Sequence, residues 1–476
     1  MSLRLYDTGT RQVRDFTPRV PGKVGVYLCG LTLQGPPHIG HLRNGVTYDV
    51  LKSWLQRSGL DVTYVRNVTD IEDKVLAKGI EQGRPWWAIS YANERRLAAD
   101  YDLLGVRPPD YEPRATGHIP EMLELIAELI DKGHAYAAPN GDVYFSVPSF
   151  SEYGSLSHRK PEDMLSGDDG DPGAKRDARD FALWKAAKPT EPADSSWNSP
   201  YGRGRPGWHI ECSAMTRRYL GDEFDIHGGG VDLMFPHHEN ELAQSHAAGL
   251  GFANFWMHNN MVNFSGVKMS KSLGNVMSVR ALCERGFRPA EIRYYLLAPH
   301  YRSAIDYSDK ALGEAAGAYG RLEGFVARAG ERVGREDTDG GMLCAEFEAA
   351  MDDDLGTPAA FAAIHDVARE GNVALDAGDD KAAAKAAASV RSMLDVLGLD
   401  PLSPQWTTAP ADDLTDVVDS LVSLVLEQRQ DARARKDYAA ADAIRDRLTL
   451  AGLAIEDTPS GARWSLRKER DEGDGR

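Results

Sequence analysis

A strand, a loop, a helix and a second strand follow one another near the start of the chain, and this order constrains the fold most. Residues 23–29 (KVGVYLC) alternate apolar side chains and stop at Gly30. Residues 38–57 repeat apolar side chains at helical spacing, and residues 61–65 (DVTYV) have the pattern of a second strand. Two strands joined by a crossover helix form a βαβ unit. The sequence therefore predicts an α/β fold with a parallel sheet.

The rest of the chain divides into segments that differ in their pattern of apolar residues. Between Glu112 and Trp208 the periodicity loosens, and residues 166–173 (SGDDGDPG) predict a mobile loop. Because α/β signals resume at Gly207, we expect this segment to be an insertion. Helical patterns dominate after about Tyr307, and proline-rich residues 399–412 predict a linker. The predicted boundaries are 1–115, 116–204, 205–258, 259–310, 311–402 and 403–476.

Charge and cysteine content exclude several classes of protein. The 476 residues include 55 Lys and Arg against 72 Asp and Glu, a net charge of −17, which argues against indiscriminate binding to nucleic acid or anionic membranes. The N-terminus has no apolar signal sequence, and no apolar run reaches the roughly 18 residues of a membrane helix. We therefore expect a cytoplasmic protein without a membrane partner. The four cysteines are too sparse for a disulfide scaffold and lack zinc-ribbon spacing.

Two short motifs could bind phosphates. His38, Gly40 and His41 lie where a loop becomes a helix, and the N-terminus of a helix suits a polyphosphate. Lys268 and Lys271, in residues 268–272 (KMSKS), could neutralise the charge of departing pyrophosphate. Either motif alone is also typical of an ordinary solvated loop.

A metal site is a further possibility. His237 and Glu241 are four residues apart, hence on one face of a helix, and could grip one ion together with Cys29 and Cys212. That ligand set would suit zinc. Spacing alone fits a surface pair and two buried cysteines better, so both interpretations stay open at this point.

The two motifs occur in the order of the HIGH and KMSKS signatures, and together they resemble class I aminoacyl-tRNA synthetases. Four further stretches are similar to cysteinyl-tRNA synthetases, and the resemblance extends from about residue 3 to 464. These stretches are residues 27–30 (YLCG), 67–74 (NVTDIEDK), 207–215 (GWHIECSAM) and 225–245 (DIHGGGVDLMFPHHENELAQS). The resemblance implies a Rossmann-like parallel-sheet catalytic domain with an insertion, followed by an α-helical C-terminal region.

It also implies an activity, a ligand set and a role for each segment. A cysteine–tRNA ligase activates L-cysteine with ATP and transfers it to tRNA(Cys). One Zn²⁺ on Cys29, Cys212, His237 and Glu241 would select the thiolate, and Mg²⁺ would accompany ATP. Catalysis would use His38, His41, Lys268 and Lys271, and ATP would also contact Gly40, Gly228, Gly229, Gly230 and Asp232. The cysteine pocket would comprise Cys29, Gly30, Thr69, Asp70 and Trp208.

By the same resemblance, residues 1–115 and 205–258 would be the catalytic halves, with HIGH in the first and the zinc helix in the second. Residues 116–204 would be the connective insertion, 259–310 the KMSKS stem-contact region, 311–402 a helical bundle and 403–476 an anticodon-binding module. The family suggests a monomer. For the pocket residues, ordinary roles remain open: a helix cap for Thr69 and Asp70, core packing for Trp208, and a turn for the glycines.

Two other functions are compatible with parts of the sequence. A related ligase joins cysteine to an amino-sugar inositol and has similar signatures, but it resembles only the catalytic portion. A non-catalytic paralogue that binds tRNA or senses cysteine or zinc would be marked by loss of a signature lysine or a zinc ligand, and all of these are present.

Overall fold

The computed structural model describes residues 3–160, 170–264, 267–268, 277–335, 338–407, 411–451, 453–458 and 461–466. Residues 166–169 of the predicted loop at 166–173 lie outside these residues, as does Lys271, and only the backbone of Lys268 is described. The chain forms two compact units, residues 1–403 and 404–476. No helix in the described ranges is long and apolar enough to cross a membrane.

Thirteen strands are described in the first unit. They are β1 (Arg4–Asp7), β2 (Gln12–Asp15), β3 (Lys23–Leu28), β4 (Asp61–Arg66), β5 (Ala135–Ala137), β6 (Val143–Phe145), β7 (Phe181–Ala186), β8 (Gly204–Pro206), β9 (Phe224–Gly230), β10 (Ala253–Asn259), β11 (Val262–Phe264), β12 (Val267–Lys268) and β13 (Ile305–Tyr307).

Twelve α-helices are described in the same unit. They are α1 (Ile39–Arg57), α2 (Asp73–Gln82), α3 (Trp86–Leu103), α4 (Ile119–Asp131), α5 (Trp208–Leu220), α6 (Glu239–Ala247), α7 (Val279–Glu284), α8 (Pro289–Leu297), α9 (Asp309–Val333), α10 (Ala345–Asp352), α11 (Thr357–Ala377) and α12 (Asp380–Val396).

The predicted βαβ unit is confirmed and lies at the centre of a parallel sheet. The strand order is β10-β9-β3-β4, and all three pairings are parallel. Strands β3 and β4 flank α1 in the sequence, whereas β9 pairs with β3 only after the long intervening segment. Val26, Tyr27 and Leu28 of β3 are consecutive and all buried, as expected where helices cover both faces of a parallel sheet. The sheet is therefore discontinuous in sequence.

The intervening segment forms a sheet of its own. Strands β5, β6, β7 and β8 pair in that order, and every pairing is antiparallel. Phe145 and Trp184 are fully buried and belong to the same apolar cluster as Tyr27 of β3. The shared core joins this sheet to the catalytic fold.

A small three-stranded sheet carries the start of the second signature. Strand β11 pairs in parallel with β13 and antiparallel with β12, so that Asn263 lies opposite Lys268. Beyond it, α9, α11 and α12 form the predicted helical region. A Cβ atom at Gly371 of α11 would lie 2.2 Å from Phe325 of α9, so the missing side chain permits close helix packing.

The second unit contains α13 (Pro404–Thr407), α14 (Ala411–Ala434), α15 (Tyr438–Leu450), β14 (Leu453–Thr458) and β15 (Gly461–Leu466). Its apolar core comprises Val422, Leu426, Leu448 and Leu453, with Trp464 packed against it. The α-helical C-terminal region is confirmed, and the antiparallel hairpin of β14 and β15 adds two strands to it. Two short strands show little alternation of apolar and polar residues in the sequence. They are stabilised by pairing with each other and by packing on the helices.

Candidate active site

A cleft of about 600 Å³ opens at the carboxyl ends of the parallel strands. Cys29 and Gly30 follow β3, Gly230 ends β9 and Asn259 ends β10, and all four line the cleft. Open α/β sheets bind ligands at this edge because the strand ends and helix starts converge there. The other lining residues are Leu31, Thr32, Gln34, His38, Gly40, His41, Asn44, Lys74, Tyr101, Trp208, Asp232, Leu233, Asn260, Met261 and Val262.

The first signature occupies the mouth of this cleft. His38 is the N-cap of α1, and its backbone N–H donates to His41 Nδ1 at 3.3 Å. The two imidazole rings stack with centroids 3.5 Å apart. Because the first turn of a helix carries unpaired N–H groups and the positive end of the dipole, the arrangement suits a phosphate chain.

Four buried side chains from three segments converge beside the cleft. Cys29 Sγ lies 3.6 Å from Cys212 Sγ and 3.4 Å from Glu241 Oε1, and His237 Nε2 lies 3.0 Å from the same carboxylate oxygen. One donor atom from each residue fits within 4.8 Å of the others. Cys212 is on α5, Glu241 is on α6, and His237 lies in the distorted turn just before α6. The four predicted ligands therefore come together as one potential metal site, which we call the thiol cluster.

The charges in the thiol cluster are interdependent. Burial raises the pKa of the Glu241 carboxyl, but His227 and His237 outweigh it and lower that pKa to about 2. For Cys212, burial likewise raises the thiol pKa, but the hydrogen bond from Cys29 and the nearby His237 lower it overall. Burial and the neighbouring Cys212 raise the pKa of Cys29. The cluster thus favours anionic Cys212 and Glu241 side chains, both suited to a divalent cation.

A second potential ligand set shares two members with the thiol cluster. Cys29 and Glu241 also lie close to His227 and His238. His227 Nε2 is 3.5 Å from Cys29 Sγ and 3.4 Å from Glu241 Oε2. His238 Nδ1 is 2.8 Å from His258 Nε2, so one nitrogen of this ring already has a partner. Neither His227 nor His238 is among the ligands that the sequence predicts.

Trp208 connects the thiol cluster to the cleft. Its indole lines the cleft and stacks on the His237 ring, with centroids 4.3 Å apart. The other nitrogen of His237, Nδ1, is 3.0 Å from His209 Nδ1. His209 therefore orients a ring whose Nε2 points at Glu241, in the manner of residues that support metal ligands from behind.

Comparison with known proteins identifies the family. A family model described as "tRNA synthetases class I (C) catalytic domain" matches residues 15–317. A cysteine–tRNA ligase of Streptomyces avermitilis is 56% identical over 468 residues, which cover 98% of this chain and 99% of that protein. One from a Nocardioides species is also 56% identical, covering 98% of this chain and 100% of the relative. The chain belongs to the cysteine–tRNA ligase family.

The C-terminal region and the fold agree with membership of the cysteine–tRNA ligase family. A DALR domain model matches residues 346–401, and a model described as "Cysteinyl-tRNA ligase anticodon binding domain" matches residues 412–464. A solved methionyl-tRNA synthetase of Mycobacterium tuberculosis, in complex with methionyl-adenylate, aligns with a TM-score of 0.57 at 16% identity. It covers 80% of this chain and 90% of that one. The class I synthetase fold is confirmed.

Not every pocket residue expected for a cysteine–tRNA ligase lies on the cleft surface. Thr69 and Asp70 are buried and are not among the lining residues. Both oxygens of Asp70 accept hydrogen bonds from Thr116, one from the backbone N–H at 3.0 Å and one from the hydroxyl. Burial raises the pKa of Asp70. Its contact with the substrate ammonium stays a prediction.

The glycine run is the end of strand β9. A Cβ atom at Gly228 would lie 2.2 Å from Tyr48, and one at Gly229 would lie 2.8 Å from His238. The absent side chains at these two positions thus make room for protein groups. Gly230 and Asp232 do line the cleft. Contact between this run and a nucleotide stays a prediction.

One cation of the cleft was missed by the sequence analysis. Lys74, at the start of α2, lines the cleft together with Asn44 of α1. Lys74 is the last residue of the NVTDIEDK stretch. The stretch was part of the family resemblance, but the sequence did not indicate which of its side chains faces the cleft. The side chains of Lys268 and Lys271 lie outside the described part of the structure, and their roles stay predictions.

Proposed function

We propose that this cysteine–tRNA ligase activates L-cysteine with ATP and transfers it to the 3′ end of tRNA(Cys), with a zinc ion selecting the thiolate. The observation that carries the proposal is the position of the thiol cluster beside the phosphate-suited start of α1. Cys29 links the two, because it lies 3.6 Å from Cys212 in the thiol cluster and also lines the cleft into which His38 and His41 of the first signature face. A substrate could therefore present its sulfur to the cluster and its carboxylate to a nucleotide.

The thiol cluster fits zinc on the chemistry of its donors. Two cysteine sulfurs, an imidazole nitrogen and a carboxylate oxygen form a ligand set of the type that Zn²⁺ prefers. Glu241 Oε2 is buried, and its 3.4 Å contact with His227 Nε2 is too long for a strong hydrogen bond, so this oxygen has capacity for an ion. Zinc, when bound, would favour a cysteine thiolate over the hydroxyl of serine, which differs by one atom and is a far poorer ligand.

The residues of the chain bind and position the substrates. We assign His38 and His41 to the ATP phosphates, together with the backbone N–H groups at the start of α1. Trp208 would pack along the substrate cysteine, since its ring lies between His237 and the cleft. Lys268 and Lys271 would stabilise the charge that develops as the cysteine carboxylate attacks the α-phosphate and pyrophosphate leaves. Mg²⁺ would accompany ATP.

The second unit would read the tRNA. Residues 429–447 carry six basic side chains against four acidic ones, in a chain with a net charge of −17. A basic segment on α14 and α15 suits contact with RNA phosphates. We also predict that the enzyme is a monomer and that it is located in the cytoplasm.

The test is cysteine-dependent ATP–pyrophosphate exchange, with and without a zinc chelator and with serine as a competitor. Transfer of labelled cysteine to tRNA is measured on the same preparation. We expect exchange that requires zinc and ignores serine, with the label ending on tRNA. Exchange without tRNA charging would favour an amino-sugar acceptor, and absence of exchange would favour a non-catalytic protein. Lys271→Ala should depress exchange far more than cysteine binding.

A further inference from the structure

Arg43 is a fully buried cation two residues after the first signature. Its side chain is 0% exposed, yet it forms no ion pair with a carboxylate in the described residues. Instead Nη1 donates to the carbonyl oxygens of Asn260 at 2.9 Å and Met261 at 3.3 Å, and Nη2 donates to that of His300 at 3.0 Å. Burying a guanidinium against neutral carbonyls alone costs free energy. The position of Arg43 indicates a role that offsets this cost.

Two of the three acceptors of Arg43, Asn260 and Met261, belong to the wall of the cleft that faces α1. Asn260, Met261 and Val262 all line the cleft. A Cβ atom built at Gly40 would lie 3.8 Å from Val262 Cβ, so the first signature and this wall approach each other closely.

The same segment leads into the strand pair that carries Lys268. Val262 begins β11, which pairs with β12. The Met261 carbonyl also accepts from Ile305 N at 3.0 Å, next to the start of β13. Arg43 therefore joins the helix of the first signature to the base of the sheet from which the second signature starts.

We propose that Arg43 is a positioning residue for adenylate formation, because it holds the HIGH helix and the 260–262 wall at the separation that ATP requires. The inference rests on the proposed function of the cleft. Arginine suits this task because its planar guanidinium reaches three carbonyl oxygens at once, whereas the single ammonium of lysine does not reproduce that geometry. Within the described residues no hydrogen bond or ion pair joins Arg43 to the thiol cluster, so binding of the cysteine sulfur should not depend on it.

Arg293 provides a matched control. It is also 0% exposed and donates to three backbone carbonyls, those of Leu397 at 2.8 Å, Leu104 at 3.1 Å and Gly105 at 2.9 Å. It does not line the cleft. Arg43→Lys and Arg293→Lys both disturb buried hydrogen bonds to backbone carbonyls. Arg293 in addition pairs with the buried carboxylate of Asp49, so its loss should cost more stability, but only Arg43→Lys disturbs the wall of the cleft.

The experiment measures pyrophosphate exchange at varied ATP and cysteine, together with the unfolding temperature of each variant. For Arg43→Lys we expect kcat to fall about 10- to 100-fold, as a misplacement near 1 Å does. The KM for cysteine should stay within about twofold of wild type, since uniform cysteine binding is untouched. Arg293→Lys should lose thermal stability while its folded fraction keeps the wild-type kcat. Arg43→Met, which has no donors, should be more severe than Arg43→Lys; if it does not fold, the lysine variant alone decides.

Hydrogen exchange gives an independent readout. Amides of residues 259–264 should exchange faster in Arg43→Lys than in wild type and remain unchanged in Arg293→Lys. The inference is overturned if Arg43→Lys keeps its kcat, if both variants lose kcat equally, or if the KM for cysteine rises in parallel. Absence of pyrophosphate exchange in the wild-type protein would instead reject the proposed function. Failure of the Arg43 inference and failure of the proposed function are therefore distinguishable.

Discussion

Cys29 Sγ lies 3.6 Å from Cys212 Sγ, although 183 positions separate the two residues in the chain. The contact exists because β3 ends beside the first turns of α5, and it brings a thiol from each half of the discontinuous catalytic fold to one point. Glu241 and His237 complete the group. Any insertion between the halves that changed their docking would disperse the thiol cluster.

Removal of one thiol should remove the metal. We expect Cys212→Ser to lose most of the bound zinc and at least about 100-fold of the exchange rate, because a serine hydroxyl does not replace a thiolate ligand. Zinc content by atomic absorption and pyrophosphate exchange check the two effects. Cys283→Ser is the matched control, since Cys283 is partly exposed and outside the cluster. Full zinc content in Cys212→Ser would contradict the assignment.

The two potential ligand sets predict opposite zinc contents for variants of His237 and His238. His238 belongs only to the set with His227, and its Nδ1 is already 2.8 Å from His258 Nε2. If zinc binds the thiol cluster, His238→Asn should retain zinc, whereas His237→Asn should lose it. Metal analysis of the two purified variants distinguishes the sets, and the reverse pattern would place the metal on the histidine pair.

The glycine after Cys29 should tolerate no side chain. A Cβ atom at Gly30 would lie 1.7 Å from the backbone oxygen of Asn67, so Gly30→Ala must displace the backbone beside Cys29. We expect lower stability by about 1–3 kcal/mol and reduced zinc binding, measured by urea unfolding and metal content. Gly313→Ala on α9 is the control: a Cβ there meets nothing within 4 Å, so this change should stabilise slightly. Wild-type stability of Gly30→Ala would contradict the packing argument.

A buried ion pair should make stability depend on pH. Asp49 is 1% exposed and pairs with Arg293 and Arg107. Burial raises the pKa of Asp49, but the two guanidinium groups outweigh it and lower the pKa below its ordinary value. Its stabilising effect is therefore complete above the unfolded pKa of about 3.9 and is lost as the pH falls through the folded pKa.

Asp49→Asn should accordingly cost about 3–5 kcal/mol near pH 7, because it leaves Arg293 buried without its partner. The difference from wild type should stay constant above about pH 4 and narrow only below the unfolded pKa of about 3.9, because the unfolded chain is protonated first and native Asp49 only below its lowered pKa. Urea unfolding across this pH range measures both effects. The exposed pair of Asp366 and Arg369 is the control, and Asp366→Asn should change little at any pH. A gap that widens in acid would reject the pairing argument.

The second unit should be needed for tRNA but not for cysteine activation. The cleft and the thiol cluster lie within residues 1–403, whereas residues 404–476 have their own small apolar core. A chain that ends at Ser403 should keep pyrophosphate exchange and lose most of its tRNA charging. The unfolding temperature of the shortened chain is the control for intact folding. Full charging by that chain would show that the last unit is dispensable.

Local patterns in the sequence determined the elements that carry the site. The alternation in residues 23–29 and the helical spacing of 38–57 predicted β3 and α1, because periodicity reports which face of an element is buried. The two signatures and the four family stretches then indicated the class I synthetase fold and cysteine as the substrate. All four predicted metal ligands lie within three of these stretches.

Only the tertiary structure decided which of these residues meet. It placed Cys29 against Cys212, turned Gly228 and Gly229 towards Tyr48 and His238, and formed the terminal hairpin. It also revealed Arg43, whose acceptors are backbone carbonyls more than 200 positions away and therefore leave no residue-specific trace in the sequence. Periodicity encodes burial within one element, whereas these contacts depend on how separate elements dock.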